Sequence, residues 1–434
     1  MKFSLAASLF FCVAPVLGEV PEVVTTAISA DIPRLESFYK DLHRNPELSL
    51  LEEKTSARVA KELREAGYEV TERVGGFGVV AVLRNGPGPV VLLRTDLDAL
   101  PVKEQTGLPY ASQRSQVNSA GQEVPVMHAC GHDMHMTVLV GTARFLAQHT
   151  NLFSGTVVAI GQPAEEKVMG AKAMLKDGLF ERFPKPNYCL ALHVNSDLAA
   201  GKVAYVPGFI LANVDSVDIT IRGVGGHGAY PHTTKDPIVL AAETVLALQT
   251  LISREKPATE PGVLTVGSIH GGTKHNIIPD EVKLQLTLRS YSDSVSSNLI
   301  AGIKRVTRGL AEAAGLPEDR MPIVTVDENE HTPATYNDPA LTQRLALVLQ
   351  DWLGRDAVVQ EHAQMGAEDF GLFGRTPDKI PICMLWLGSV PSERMNSGQK
   401  LPSIHSALYY PDPEPTIKTG VTVLTAAMLD LLKK

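Results

Sequence analysis

Val90-Val91-Leu92-Leu93-Arg94-Thr95-Asp96-Leu97-Asp98-Ala99-Leu100-Pro101 reads as a strand that runs into two carboxylates. Its leading residues are apolar without alternation, the pattern of a strand covered on both faces. Two more segments behave the same way. Residues 155–161 close on Gln162-Pro163-Ala164-Glu165-Glu166, and residues 187–193 close on His193. Helical spacing covers the stretch to Gln148 and residues 169–177. Strands alternating with helices point to an α/β fold with a mostly parallel central sheet. Acidic and histidine residues recur just past the carboxyl ends of its strands, where open α/β sheets place their ligands.

The densest such stretch is Met127-His128-Ala129-Cys130-Gly131-His132-Asp133-Met134-His135-Met136, with three histidines, a cysteine and an aspartate in ten residues. Cys130 and His132 flank a glycine, which lets a thiolate and an imidazole converge on one cation at a bend. The apolar run after it has helical spacing, so the cluster is expected where a loop enters a helix. A lone histidine here would read as a packed side chain. Five coordinating residues together read as a metal site.

Composition sets the frame. A chain of 434 residues exceeds one ordinary core, which implies two or three domains. A net charge of −8, without a dense Lys/Arg block, argues against a nucleic-acid partner. Lys2 followed by an apolar run from Phe3 to Val13, with Val16-Leu17-Gly18 before Glu19, reads as a signal peptide over residues 1–18. That run is too short to span a bilayer comfortably, so export to a periplasmic or extracellular compartment is expected, with no membrane partner. Removal of the signal leaves Cys130, Cys189 and Cys383, an odd number, so at least one thiol stays unpaired or finds another use.

Towards the N-terminus, residues 31–43 and a segment from Ser49 to about Ala66 read as helices, followed by strands over 68–73, 78–83 and 89–95. From about Asp215 the texture changes. Strands are expected over 217–222, 262–270, 282–289 and 323–326, and helices over 237–253 and 294–314. This strand-helix-strand-strand-helix-strand order describes a ferredoxin-like α+β unit inserted into the first domain. The first domain then resumes near Tyr336, with a helix over 339–353, a strand over 382–387 and a last helix over 416–432. The expected division is 19–212 with 328–434 for the metal-binding domain and 213–327 for the inserted one.

Hydrolytic chemistry at a metal needs a water, a base and a clamp for the developing oxyanion. Glu165-Glu166 offers two of these functions, because neighbours in an extended segment point in opposite directions, one to a metal and one to the cleft. Asp98 is placed to orient a ligand imidazole. His193 and His405 complete a mixed N/O/S set suited to zinc or a similar borderline metal. Gly223-Val224-Gly225-Gly226-His227-Gly228 matches a dinucleotide fingerprint, but Tyr230-Pro231-His232 blocks the helix it requires. A histidine in a glycine loop of the second domain, His227, can instead reach over the cleft. Asn276 and Arg289 are in the same position, either able to clamp a substrate carboxylate.

The order of these motifs resembles the aminoacylase–carboxypeptidase metallohydrolase superfamily. More narrowly, it is similar to the branch with hippurate hydrolase, N-acyl-amino-acid amidohydrolases and auxin-conjugate hydrolases. The matching stretches are Leu42-His43-Arg44-Asn45-Pro46-Glu47-Leu48-Ser49, 94–101, 128–133, 163–166, Gly226-His227-Gly228-Ala229-Tyr230-Pro231-His232, Asn276-Ile277-Ile278-Pro279-Asp280 and Met365-Gly366-Ala367-Glu368-Asp369-Phe370. The resemblance implies a zinc-peptidase-like catalytic domain interrupted by a lid that can mediate a homodimer. It implies two divalent metal ions, zinc first, with manganese, cobalt or nickel as alternatives, held by Cys130, His132, Glu166, His193 and His405, with Cys130 bridging. By the same route Glu165 is the general base, Asp98 stands behind the metal, His227 stabilises the oxyanion in the same chain or across a dimer, and Asn276 binds the substrate carboxylate. Relatives outside the branch carry His-x-Asp where this chain has Asp96-Leu97-Asp98, and His132 is expected to supply the missing ligand. Leu286 stands where the family has a glycine, and the export signal contrasts with many cytosolic relatives.

The function these readings favour is metal-dependent hydrolysis of the amide bond of N-acyl amino acids, a small-molecule substrate class. A carboxypeptidase or dipeptidase is the alternative within the same chemistry. A metal-independent cysteine hydrolase and a non-catalytic metal-binding protein are the alternatives outside it.

Overall fold

The buried apolar runs assemble into one large sheet, and the alternating ones assemble into a second. The computed structural model describes residues 19–433, so the signal peptide expected over 1–18 lies outside the described residues. In chain order, α1 (Glu22–Arg44) and α2 (Glu53–Glu65) precede β1 (Glu69–Val74), β2 (Gly78–Asn85) and β3 (Val90–Asp96). Next come α3 (His132–Gln148), β4 (Gly155–Gln162), α4 (Gly170–Lys176), β5 (Tyr188–Ala199) and β6 (Val203–Tyr205). The second sheet uses β7 (Val214–Arg222), α5 (Pro237–Thr250), β8 (Gly262–Gly271), β9 (Glu281–Ser290), α6 (Asp293–Ala313) and β10 (Ile323–Thr332). The chain returns through α7 (Pro339–Leu353), β11 (Val358–Gln360), β12 (Ile382–Val390) and α8 (Pro413–Leu431).

The large sheet has the order β1-β2-β4-β3-β5-β12-β6-β11. Its four central strands, β4, β3, β5 and β12, are mutually parallel, and the antiparallel pairings lie towards the edges. Parallel strands covered on both faces need apolar side chains on both, and Val91, Leu92 and Leu93 are all buried. One face packs against α1, α3 and α8 through Leu35, Leu139 and Val421. The other face holds Leu92, Ala191, Met384 and Phe370.

The second sheet is antiparallel with the order β8-β9-β7-β10. It alternates buried and exposed residues along β9 and shares a separate core with α5 and α6, through Ile219, Leu248, Leu284 and Ile303. The two chain passages that link the sheets are tied together, with Gly208–Leu211 pairing antiparallel to Thr335–Asn337.

Several elements differ from their expected bounds. The first helix begins at Glu22, because the apolar stripe of Ile32 and Leu35 continues backward through Val24 and Ile28. The second helix begins at Glu53, because Leu50 takes a left-handed conformation (φ 69°) that a helix does not admit. The strand ending in His193 runs on to Ala199, and the strand from Ile323 runs on to Thr332. Residues Pro237–Glu255 are long and apolar enough by composition to cross a bilayer, a candidate the sequence reading did not single out. Its buried side, with Leu240, Ala241 and Leu248, belongs to the core of the second sheet.

Candidate metal centre

Gly131 makes the bend on which the centre is built. It adopts φ 78° at the N-terminus of α3, and a Cβ there would come within 2.6 Å of a Val194 methyl. Cys130 therefore lies on one side of the bend and His132 opens the helix on the other. The Cys130 Sγ is 3.4 Å from His193 Nε2, at the carboxyl end of the parallel strands, and 3.2 Å from His405 Nε2. The loop carrying His405 is fixed by its own N–H, which donates to the Ala129 carbonyl at 2.7 Å. His405 Nε2 lies 3.5 Å from Glu166 Oε1, and His132 Nε2 lies 3.8 Å from both Glu166 Oε1 and Glu165 Oε2. All five expected metal ligands are thus brought together, from positions 130 to 405.

Hydrogen bonds set which lone pairs face inward. His132 Nδ1–H donates to the Asp98 carbonyl oxygen at 2.8 Å, with the Asp98 Oδ1 at 3.4 Å. His193 Nδ1–H donates to the Val194 carbonyl at 2.8 Å. Both rings therefore turn Nε2 into the cluster, where the neutral form of each offers the lone pair a metal ligand needs, although, against burial, the Asp96 and Asp98 carboxylates push His132 up to about 10. His132 Nε2 and Glu166 Oε1 are buried and have no hydrogen-bond partner among the described residues. Buried polar atoms are normally satisfied, so these two orphans, converging with the Cys130 sulfur, fit a borderline divalent cation. Burial, then the nearby Glu166, Glu165 and Asp96 carboxylates, pushes the Cys130 thiol well up. Burial likewise pushes Glu166 up to about 7, although His132 opposes the shift. A bound cation reverses that logic by stabilising the deprotonated forms.

Glu165 stands beside this cluster, and its side chain makes no hydrogen bond among the described residues. Burial and the neighbouring carboxylates of Glu368, Glu166 and Asp369 hold its pKa well above the usual range, while the Arg94 guanidinium opposes them. Glu165 and Glu166 are not in an extended segment, as their spacing suggested. They sit in a turn closed by the Val168 N–H donating to the Glu165 carbonyl, with Ala164 and Val168 at φ 49° and 50°. The Glu166 N–H donates to Asp98 Oδ2 at 3.0 Å, and Ser49 donates to the same oxygen at 2.6 Å. Asp98 therefore braces both His132 and the turn.

A second tier was not read from the sequence. Arg94, 3% exposed, donates to Asp96 at 2.7 Å, to Glu368 at 2.7 Å and to Gln162 at 3.0 Å. Asp96 also accepts from His135 Nδ1 at 2.7 Å, so its oxygens are committed to Arg94 and His135. The available signal was the charge at position 94 inside an otherwise apolar strand.

A cavity of about 760 Å³ opens over the cluster, lined by Cys130, Glu165, Glu166, His193 and His405 on one side and by Thr287, Arg289 and Asp327 of the second sheet on the other. Arg289 is half-buried and makes no ion pair among the described residues. Asp215, the carboxylate that acts on it, is occupied by His331, Ser296 and Asn213. His227 and Asn276 are not brought to this cavity. They sit together on the exposed side of the second sheet's unit, where the Gly228 N–H donates to the Asn276 carbonyl. The strand pairing of Gly226–His227 with Ile277–Ile278 holds them there.

The family model for peptidase family M20/M25/M40 matches residues 92–430. The chain is 35% identical over 370 residues to N-acetyldiaminopimelate deacetylase from Leuconostoc citreum, covering 84% of this chain and 90% of that protein. It is 36% identical over 341 residues to hippurate hydrolase from Campylobacter jejuni, covering 78% and 84%. Its structure matches that of a dinuclear metal-binding peptidase of the M20 family from Bacillus subtilis, with a TM-score of 0.74, 27% identity and coverage of 93% and 99%.

Proposed function

The chain belongs to peptidase family M20/M25/M40 and is a hydrolase of amide bonds, and from that premise we propose that it cleaves the amide joining an acyl group to an amino acid at a two-metal centre. The observation that carries this reading is a free, buried Glu165 beside converging, unsatisfied donors on a cavity that also holds an unpaired Arg289. Cys130, His132, Glu166, His193 and His405 would hold the ions, with zinc the first candidate from the donor chemistry. When bound, the pair supplies Lewis acidity, which polarises a carbonyl and acidifies water.

The protein's own groups do the rest. Glu165, without a side-chain hydrogen bond among the described residues and disposed to hold a proton, accepts one from the attacking water and returns it to the leaving nitrogen. Asp98 keeps His132 in the required tautomer. Arg289 receives the carboxylate of the amino-acid half, since a partly desolvated guanidinium without a partner favours a bidentate anion. The placement of His227 and Asn276 away from their own cavity supports a supply of these groups by a second copy of the chain. Burial raises the Cys130 thiol, the opposite of what a metal-independent nucleophile needs.

Metal-reconstituted protein assayed on N-acetyl, N-benzoyl and indoleacyl amino acids beside plain dipeptides tests the reading. Turnover of acyl amino acids is expected. Glu165→Gln should lower kcat by about 10²–10⁴-fold while elemental analysis finds the same metal content. Cleavage of dipeptides alone, or full activity in Glu165→Gln, would overturn it.

A further inference from the structure

The turn that presents Glu165 is fixed neither by a sheet nor by a helix. Backbone amides of Val168, Met169 and Gly170 close it on the Glu165 and Ala164 carbonyls, and two buried carboxylates hold the amides on either side of Glu165. Asp98 takes the Glu166 N–H, and Glu52 Oε1 takes the Ala164 N–H at 2.8 Å. The same Glu52 oxygen accepts the Leu50 N–H at 2.9 Å. Both of these donors belong to residues with left-handed backbone, Ala164 at φ 49° and Leu50 at φ 69°. Side chains with a Cβ avoid that region unless the surroundings hold them there.

Glu52 is placed to do this holding. It caps α2, where its carbonyl accepts the Ser56 N–H at 2.8 Å, and it is 0% exposed. Among the described residues it has no cationic partner, and its Oε2 has no partner at all. A buried carboxylate without a counter-charge is costly. The hydrogen bonds this one accepts from other residues come from the amides of two strained residues, one of them next to Glu165.

We propose that Glu52 is a positioning residue for hydrolysis: by holding Ala164 in the left-handed region it aims Glu165 into the cavity. The inference rests on the reading of Glu165 as general base. Cys130, His132, His193 and His405 lie outside the turn, and Asp98 still holds Glu166. Loss of Glu52 therefore acts on the direction of Glu165 and not on cation content.

Four variants of the metal-loaded enzyme test this. Glu52→Gln keeps a carbonyl acceptor and is expected to hold kcat within about threefold of wild type, whereas Glu52→Met should lose on the order of a hundredfold in kcat. KM and metal content should stay unchanged in Glu52→Met. Adding Ala164→Gly to Glu52→Met should restore roughly a tenth or more of the lost rate, because glycine enters the left-handed region unaided. Glu52→Asp keeps the carboxyl group and the helix cap but withdraws the carboxyl by one methylene. It should fold as wild type and lose kcat, which covers the case of a Glu52→Met that does not fold. Hydrogen exchange on metal-free protein gives a readout apart from activity, with the amides of residues 164–169 exchanging faster in Glu52→Asp than in Glu52→Gln. Wild-type kcat in Glu52→Asp, unaltered exchange, or a loss that Ala164→Gly leaves untouched would each remove the proposal. A wild-type enzyme inert on every acyl amino acid would instead remove the functional reading, and the exchange data would still judge Glu52.

Discussion

His43 is buried inside the protein, 1% exposed, between Asp133 Oδ2 at 2.6 Å and Glu104 Oε1 at 3.1 Å. Burial opposes its charge, but the two carboxylates outweigh burial and push its pKa up to about 9. The folded value lies above the unfolded one of about 6.5. The imidazolium's contribution to stability is therefore complete below about pH 6.5 and is lost as pH rises through about 9. The melting-temperature gap between wild type and His43→Gln should shrink across that window. A gap that stays constant from pH 6 to pH 10 would count against the charge. At this scale the sequence was legible where chemistry is dense. The donors around Cys130 announce themselves within ten residues, and Glu165-Glu166 by adjacency. The triad of His43, Glu104 and Asp133 did not, and neither did the network of Arg94 with Glu368. Their members lie up to 274 positions apart in the chain, and only the fold brings them together.

The helix α5 presents two different sides. Leu240, Ala241 and Leu248 are buried, while Ile238, Val239 and Leu246 are 41%, 55% and 73% exposed. Beside it β8 is an edge strand, and Ile269 on it is 52% exposed. An apolar helix face next to an open strand edge invites a second copy, which fits the outward position of His227 and Asn276. Sedimentation should show a dimer for wild type and a monomer for Leu246→Lys with Ile269→Lys. If the partner supplies His227, mixing the inactive Glu165→Gln and His227→Ala chains should regenerate about a quarter of the sites. A monomeric wild type would end this assignment. Element type was readable over the long runs, where apolar periodicity distinguishes helix from strand, but β6 and β11, three residues each, are too short to show a period. Element ends were less so. Asp31 with Pro33 has the composition of a helix start, yet α1 continues nine residues further back along its apolar stripe.

Across the whole molecule, the parallel sheet and the βαββαβ unit could be derived from alternation, since each pattern admits few topologies. The path that joins them could not, because the ladder between Gly208–Leu211 and Thr335–Asn337 pairs residues more than a hundred positions apart with no periodicity to mark them. The origin of the five donors has a consequence for stability. Four come from chain segments that precede the second sheet, and His405 comes from a segment after it. A pair of cations held between these five would staple the two ends of the polypeptide path into a single loop that only the finished fold can close, and their binding energy would be folding energy. Chelation should therefore lower the melting temperature of the large sheet and of the unit threaded through that loop in one cooperative step. Scanning calorimetry that resolved a chelator-sensitive transition from an indifferent one would show that the clasp does not span the molecule.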